Sequence, residues 1–434
     1  MKQTAERIFR ETLAKISIPV AFDMRLARSG SQIHAGQTII DLRNYSEIIA
    51  ISFGKASYAM AQGLISALAP DYAAQGILVT PPAEPLRELA GFELFTGGHP
   101  IPNEGSFAAG RTILDRLAAC DNRTIVFFLI SGGGSSLVEW PVDPNATISE
   151  FQMLHQALVT CGAPIEEINA VRKHVSATKG GRLAAAAPSS TKITFAISDV
   201  PAGQESALAS GPTLPDPTTI ADAERVINKY KITESFPSSL RTAFEREKMR
   251  ETPKAGDSAF ARSHFEILLG EHELFHAAHH ACEMAGFVSV CENETDNWPI
   301  EKAADHLLKE LALHKRRNPG RPVAIISSGE VSSPVTGDGI GGRNSAFVLA
   351  CVPRIAGTAI TVLSAGTDGI DGNSNAAGAI ADGGTFSRGR REGLDAQDFR
   401  RRSDAFNYFN ALGDALVTGP TGNNLRDLRV LLME

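Results

Sequence analysis

Short, continuously apolar runs punctuate the first half of the chain: EIIAISF (47–53), GILVT (76–80), FELFT (92–96), TIVFFLI (124–130) and KITFAIS (192–198). Helix-length stretches separate them. A strand with one wet face alternates apolar and polar residues. These runs do not alternate, which predicts a parallel sheet covered on both sides by helices. Ahead of them Ala5, Ile8, Phe9, Leu13 and Ile16 recur at helical spacing, and Pro19 closes that helix. A second series follows: FEILL (265–269), FVSVC (287–291), PVAIIS (322–327), AITVLS (359–364) and LRVLL (428–432). Between the two, over 231–262, Pro, Gly and Ser gather around a charged helical stretch, RTAFEREKMR, and apolar periodicity fades. A domain boundary is expected there, giving domains 1–240 and 241–434 of an α/β protein.

The length of 434 residues also favours two domains. With 43% hydrophobic and 21% charged residues the chain is ordinary globular protein, not a disordered polymer. Glycine is abundant (39 residues) and aromatics scarce (6%), which suits an enzyme with glycine loops and not a base-stacking RNA binder. A formal net charge of −7 gives no basic footprint, so no nucleic-acid partner is expected. Five cysteines without CxxC spacing make no zinc or disulfide framework. The charged start MKQTAERIFRETL is not a signal peptide, and no apolar run reaches the ~18 residues of a membrane span. A cytoplasmic protein without a membrane partner is expected. Homo-oligomerisation stays open.

Candidate chemistry lies in loops that follow buried strands, where α/β sheets bind ligands. ISGGGSS follows TIVFFLI. Gly132, Gly133 and Gly134 let backbone N–H groups converge, and Ser135 and Ser136 add hydroxyls, as in a phosphate cradle; the alternative is a tight turn. A second loop, VTGDGIGGRN (335–344), holds Gly337, Gly339, Gly341 and Gly342 before Arg343. Formally it contains GxGxxG, but it lacks the strand-turn context and the acid ~20 positions on that dinucleotide binding needs, so phosphoryl binding is preferred. Lys55 ends one strand and opens a helix, where the dipole disfavours a cation unless an anion is near; the alternative is a lysine that snorkels to solvent. VRKHVSATKGGRLA (171–184) offers Lys173 and Lys179 to an anion, although helix capping with surface lysines explains it equally. Asp199, Glu330, Asp368 and Asp371 stand after strands, where magnesium with nucleotide oxygens would need carboxylates, although any one of them could be a helix N-cap or turn residue. EHELFHAAHH (271–280) has histidine spacing that zinc could use, but it reads as an amphipathic helix with Leu274, Ala277, Ala278 and Ala281 inward.

Taken in order, FGKAS (53–57), GHPIPNE (98–104), SGGGSSL (131–137), VRKHVSATKGGRLA, ISDVP (197–201), ASGPTLPDPTT (209–219), ETPKAGD (251–257), GDGIGGRN (337–344), SAGTDGIDG (364–372) and TGPTGNNL (418–425) resemble the glycerate 2-kinase family. The second half of that family is called the MOFRL domain. The resemblance implies an N-terminal Rossmann-like domain, a smaller C-terminal α/β (MOFRL) domain and an active cleft between them. It implies phosphorylation of D-glycerate at the 2-hydroxyl with ATP and Mg²⁺. The family's catalytic lysine falls on Lys55 and its essential arginine on Arg343. Asp199 is then expected to orient the attacking hydroxyl, and Lys173, Lys179 and the loop serines to hold the hydroxy-acid carboxylate. Many relatives carry the label hydroxypyruvate reductase. An NAD(P)H-dependent reductase, resting on Gly337, Gly339 and Gly342, is therefore the rival. A kinase for another small hydroxy acid is the nearer alternative.

Overall fold

The computed structural model describes residues 1–36, 38–82, 88–200, 203–236, 249–423 and 425–434. It divides into two compact units, Ala21–Leu268 and Leu269–Glu434 together with Met1–Val20. Among the described residues, no helix is long and apolar enough to cross a membrane.

The first unit opens with a small antiparallel sheet of β1 (Leu26–Ser29), β2 (Gln32–Ala35) and β3 (Thr38–Asp41). Its main sheet has six strands, β4 (Glu47–Phe53), β5 (Gln75–Thr80), β6 (Phe92–Thr96), β7 (Thr124–Ser131), β8 (Thr191–Ile197) and β9 (Ser263–Leu269), in the order β6-β5-β4-β7-β8-β9. The pairs among β4 to β8 are parallel, as the unalternating runs predict. Every residue of β7 and β8 is buried. One face packs Ile49, Ile51, Val126, Phe128 and Ile130 against Ala109, Ile113 and Leu117 of the helix Glu104–Ala118. That helix starts with a capping box, in which the Asn103 side chain accepts from the Ser106 N–H and the Ser106 hydroxyl accepts from the Asn103 N–H.

The units divide elsewhere than composition suggests. FEILL, expected to open the second half, lies in β9 at the edge of the first sheet. The Lys192 N–H donates to the Arg262 carbonyl at 2.8 Å, and Phe265 and Ile267 pack on the first core. The division therefore falls after Leu268. Residues 240 and 241, and positions 241–248 of the charged stretch, lie outside the described residues. The N-terminal helix Lys2–Lys15 forms as expected but joins the second unit, burying Ala5, Ile8 and Phe9 and setting Lys2 Nζ 2.6 Å from Asp414. A shift in polarity marks a surface segment; strand pairing decides where the fold ends.

The second unit holds β10 (Val288–Glu292), β11 (Val323–Ser328), β12 (Ile360–Gly366), β13 (Gly378–Asp382), β14 (Ala415–Leu416) and β15 (Asp427–Met433) in the order β10-β11-β15-β12-β13-β14. It is a mixed sheet. β10 and β11 are parallel, while β15 runs antiparallel between β11 and β12. The histidine-bearing helix Glu271–Met284 buries Leu274, Ala277, Ala278 and Ala281, and its His279 Nδ1 lies 2.7 Å from the Ser289 hydroxyl.

Candidate active site

Because β4, β7 and β8 are parallel neighbours, their carboxyl ends share one edge of the first sheet. Phe53 pairs with Ile130 and Ser131 with Ile197, so Lys55, the loop Gly132–Ser136 and Asp199 emerge side by side. The first two turns are stitched together. The Lys55 N–H donates to the Gly132 carbonyl and the Ala56 N–H to Ser131 Oγ, both at 3.0 Å. Gly54, at φ 122°, has no room for a side chain: a Cβ there would lie 2.2 Å from Ser131 Oγ.

Gly133, at φ 81°, faces two side chains, since a Cβ at that position would lie 3.4 Å from both Lys55 Cγ and His99 Cε1. The helix Gly134–Leu137 that it opens has no side-chain cap. Lys55 is exposed and makes no ion pair with the described residues. His99, from the loop after β6, sets Nδ1 3.2 Å from Ser136 Oγ. Burial, and then the Lys55 charge, push the His99 pKa below its ordinary value and favour the neutral ring. Sequence reasoning missed His99 as a site residue, although GHPIPNE carried part of the resemblance. Its only signal was a histidine shortly after a strand.

The next serine turns the other way. Ser135 Oγ lies 2.8 Å from Ser210 Oγ, and Ser210 donates to Asn169 Oδ1 at 3.0 Å. Ala209 (φ 48°) and Ser210 (φ 60°) hold left-handed backbone without being glycine. Such conformations cost roughly 1–2 kcal/mol per residue and gather at functional sites.

Lys173 and Lys179 do not reach out to a ligand. Lys179 Nζ lies 2.6 Å from Glu139 Oε2 and 3.3 Å from the Val138 carbonyl, with both charged side chains buried. Lys173 Nζ lies 3.1 Å from Asp216 Oδ1, again inside the fold. The substrate-carboxylate role expected of them is corrected on that ground: each is held by an internal counter-ion. Those partners stand about 40 positions away in sequence (40 for Glu139, 43 for Asp216), so local spacing does not reveal them.

The second glycine loop is closed as well. In the turn before the helix Arg343–Cys351, the Asp371 carboxylate accepts from the N–H groups of Asn344 (2.9 Å), Ser345 (2.8 Å) and Gly342 (3.2 Å). Burial pushes the Asp371 pKa up. The Gly341 N–H donates to Asn373 Oδ1 at 2.8 Å and the Gly339 N–H to the Arg402 carbonyl at 3.0 Å. A Cβ on Gly337 or Gly339 would come within 2.6 Å of the Arg402 carbonyl oxygen. The expectation that Gly337, Gly339, Gly341 and Gly342 cradle phosphates is thus corrected. The amides of Gly339, Gly341 and Gly342 already have acceptors, and the missing side chains of Gly337 and Gly339 allow close packing. The same occupancy removes the support for dinucleotide binding here.

Arg343 sets Nε 2.5 Å from Asp427 Oδ2 and Nη2 2.8 Å from Glu330 Oε1. Asp427 also accepts from Asn344 Nδ2 at 2.9 Å, and Asp368 Oδ1 from the Ile370 N–H at 3.0 Å. Among the described residues, the metal-type side chains that converge in a group of three are Glu292, Glu294 and His306, and Glu330 and Asp368 are not among them.

Comparison with known proteins decides the lineage. Residues 4–245 match the model of a domain of unknown function, DUF4147, and residues 323–427 match the MOFRL family. The D-glycerate 2-kinase of Thermotoga maritima is 34% identical over 90% of this chain and 91% of its own. The chain belongs to the glycerate 2-kinase family. The crystal structure of the glycerate kinase from Thermotoga maritima superposes with a TM-score of 0.86 at 30% identity, over 100% of this chain and 99% of that one. Some relatives in this family carry another label: a putative hydroxypyruvate reductase of Agrobacterium vitis is 35% identical over 95% of this chain and 93% of its own. As expected of a glycerate 2-kinase relative, the fold is α/β in two units with the MOFRL match toward the carboxyl end.

Proposed function

We propose that this chain transfers the γ-phosphoryl group of ATP to the 2-hydroxyl of D-glycerate, giving 2-phosphoglycerate. The observation that carries the reading is Lys55. It is an exposed cation without an ion pair among the described residues, standing against an uncapped turn of glycine amides. Phosphoryl transfer passes through a loose transition state whose charge sits on the equatorial oxygens, so positioned cations and N–H donors supply most of the catalysis. Lys55 and the amides of Gly132–Ser136 serve that charge. In the second unit Asp427 fixes the orientation of Arg343, whose proposed role is to hold a phosphate oxygen in place of the half-buried Glu330.

Asp199, beyond β8 at the same edge, orients the attacking hydroxyl, and neutral His99 is placed to take up its proton. Magnesium would need one or two carboxylates beside nucleotide oxygens, and Glu330 and Asp368 are the ones proposed to supply them. When bound, the ion neutralises charge on the phosphates. A cytoplasmic setting supplies the ATP.

The test is ADP release from ATP·Mg²⁺ over a panel of small hydroxy acids. D-glycerate is expected to give the highest kcat/KM, with 2-phosphoglycerate as product. Sustained oxidation of NADH by hydroxypyruvate, without ADP formation from any acid, would overturn the kinase reading.

A further inference from the structure

The helix Ile165–Val175 carries a charge that the described residues leave unbalanced. Arg172 stands three residues after Asn169, and a helical side chain lies over the turn before its own Cα. That turn carries the Asn169 amide that binds Ser210 and, through it, Ser135. Arg172 Nε is sealed from water and has no hydrogen-bond partner. The guanidinium makes no ion pair with the described residues.

The charged and titratable groups around it are Glu139, Lys179 and His155. Glu139 is already bound to Lys179 at 2.6 Å, and burial pushes the His155 pKa down and favours its neutral ring. The cluster thus holds one cation more than it has anions. Arg172 is partly buried, and a charge partly withdrawn from water without a counter-ion calls for an anion from outside. The two loop serines give it an address. Ser136 turns toward His99, beside Lys55, whereas Ser135 turns toward Ser210 and the Arg172 helix. A compact 2-hydroxy acid has its carboxylate one carbon from the hydroxyl that is phosphorylated, and so needs two such anion places close together.

We propose that Arg172 receives the carboxylate of the substrate, with the Ser135–Ser210 hydroxyl pair beside it. The proposal rests on the hydroxy-acid kinase reading and names the group that recognises the acid.

Arg172→Met, which keeps length but not charge, tests it. Calorimetry is expected to show D-glycerate affinity falling by about 100-fold, as for one partner lost from a desolvated charge pair, with the affinity for a non-hydrolysable ATP analogue unchanged. The thermal midpoint should hold or rise, since an unbalanced, partly buried charge is removed. Arg172→Lys keeps the charge and loses the planar fork, and is expected to lose about tenfold. Unchanged D-glycerate affinity in both variants overturns the proposal. So does a loss confined to the ATP analogue, which would make Arg172 a phosphate ligand. If Arg172→Met does not fold, the Arg172→Lys titration decides alone. If the native protein forms no ADP with D-glycerate, the kinase reading fails separately. Titration of glycolate and D-lactate against their amides then decides Arg172. Preference for the acids in the native chain, lost in the variant, upholds the carboxylate site, and absence of that preference overturns it.

Discussion

The loops Gly132–Ser136 and Gly337–Gly342 look alike as strings of letters and differ in what their amides meet. In the first, the helix Gly134–Leu137 starts uncapped, with Lys55 and His99 beside Gly133. In the second, Asp371 and Asn373 take the N–H groups of Gly341, Gly342, Asn344 and Ser345. A carboxylate from the chain itself sits where a phosphate would bind. Glycine clusters therefore report only that something comes close to the backbone; whether it is ligand or protein depends on which acceptors the rest of the fold supplies.

Breaking the first loop's chemistry should have the largest effect. Lys55→Ala is expected to lower kcat by on the order of 100-fold or more while leaving the thermal midpoint in place, as when a transition-state charge partner is lost. Native-like turnover in that variant would remove the contrast between the loops. The second loop should fail in stability instead. A Cβ on Gly342 would lie 2.3 Å from Asp371 Oδ1 and 2.4 Å from the Gly372 nitrogen. Gly342→Ala should cost about 2–3 kcal/mol in denaturant unfolding, as for overpacking.

At Gly133 the nearest atoms to a Cβ are 3.4 Å away and φ is 81°. Gly133→Ala should cost only about 1–2 kcal/mol of backbone strain, and it should weaken ATP use more than Gly342→Ala does. Equal stability losses in the two variants would show that the loops are packed alike. The smallest effect concerns pH. Because the folded-state pKa of His99 lies below the ordinary 6.5, the unfolded chain binds that proton more readily. Its contribution to stability is present above about pH 6.5 and lost as pH falls through the folded value. In His99→Gln that slope should disappear from a stability-against-pH series.

The strands were legible where β-branched and aromatic residues cluster, whether burial is nearly complete, as in β4 and β7, or only partial, as in β6. EIIAISF and FELFT coincide with β4 and β6, and TIVFFLI falls one residue short of β7. β13, GAIAD, escaped notice because glycine and alanine bury as fully as larger residues but give no apolar signal. β1 to β3 also passed unseen, since each strand is only four residues long with polar positions interspersed. Lys55 could be singled out in sequence because a cation at a helix start conflicts with the helix dipole. Asp371 and Asp427 could not be assigned as the partners of 341–345, since the pairing depends on segments far along the chain. The sign and place of a charge are local properties; the identity of its neighbour is a tertiary one.

The helix Lys2–Lys15 has a consequence for biosynthesis. It is made before Ala21–Leu268, yet the surfaces that receive it lie beyond that stretch. All of Ala21–Leu268 leaves the ribosome, with its own complete sheet, before that amphipathic segment meets a permanent neighbour. Until then Ile8 and Phe9 are uncovered on the nascent polypeptide, and a chaperone arriving early would find them there.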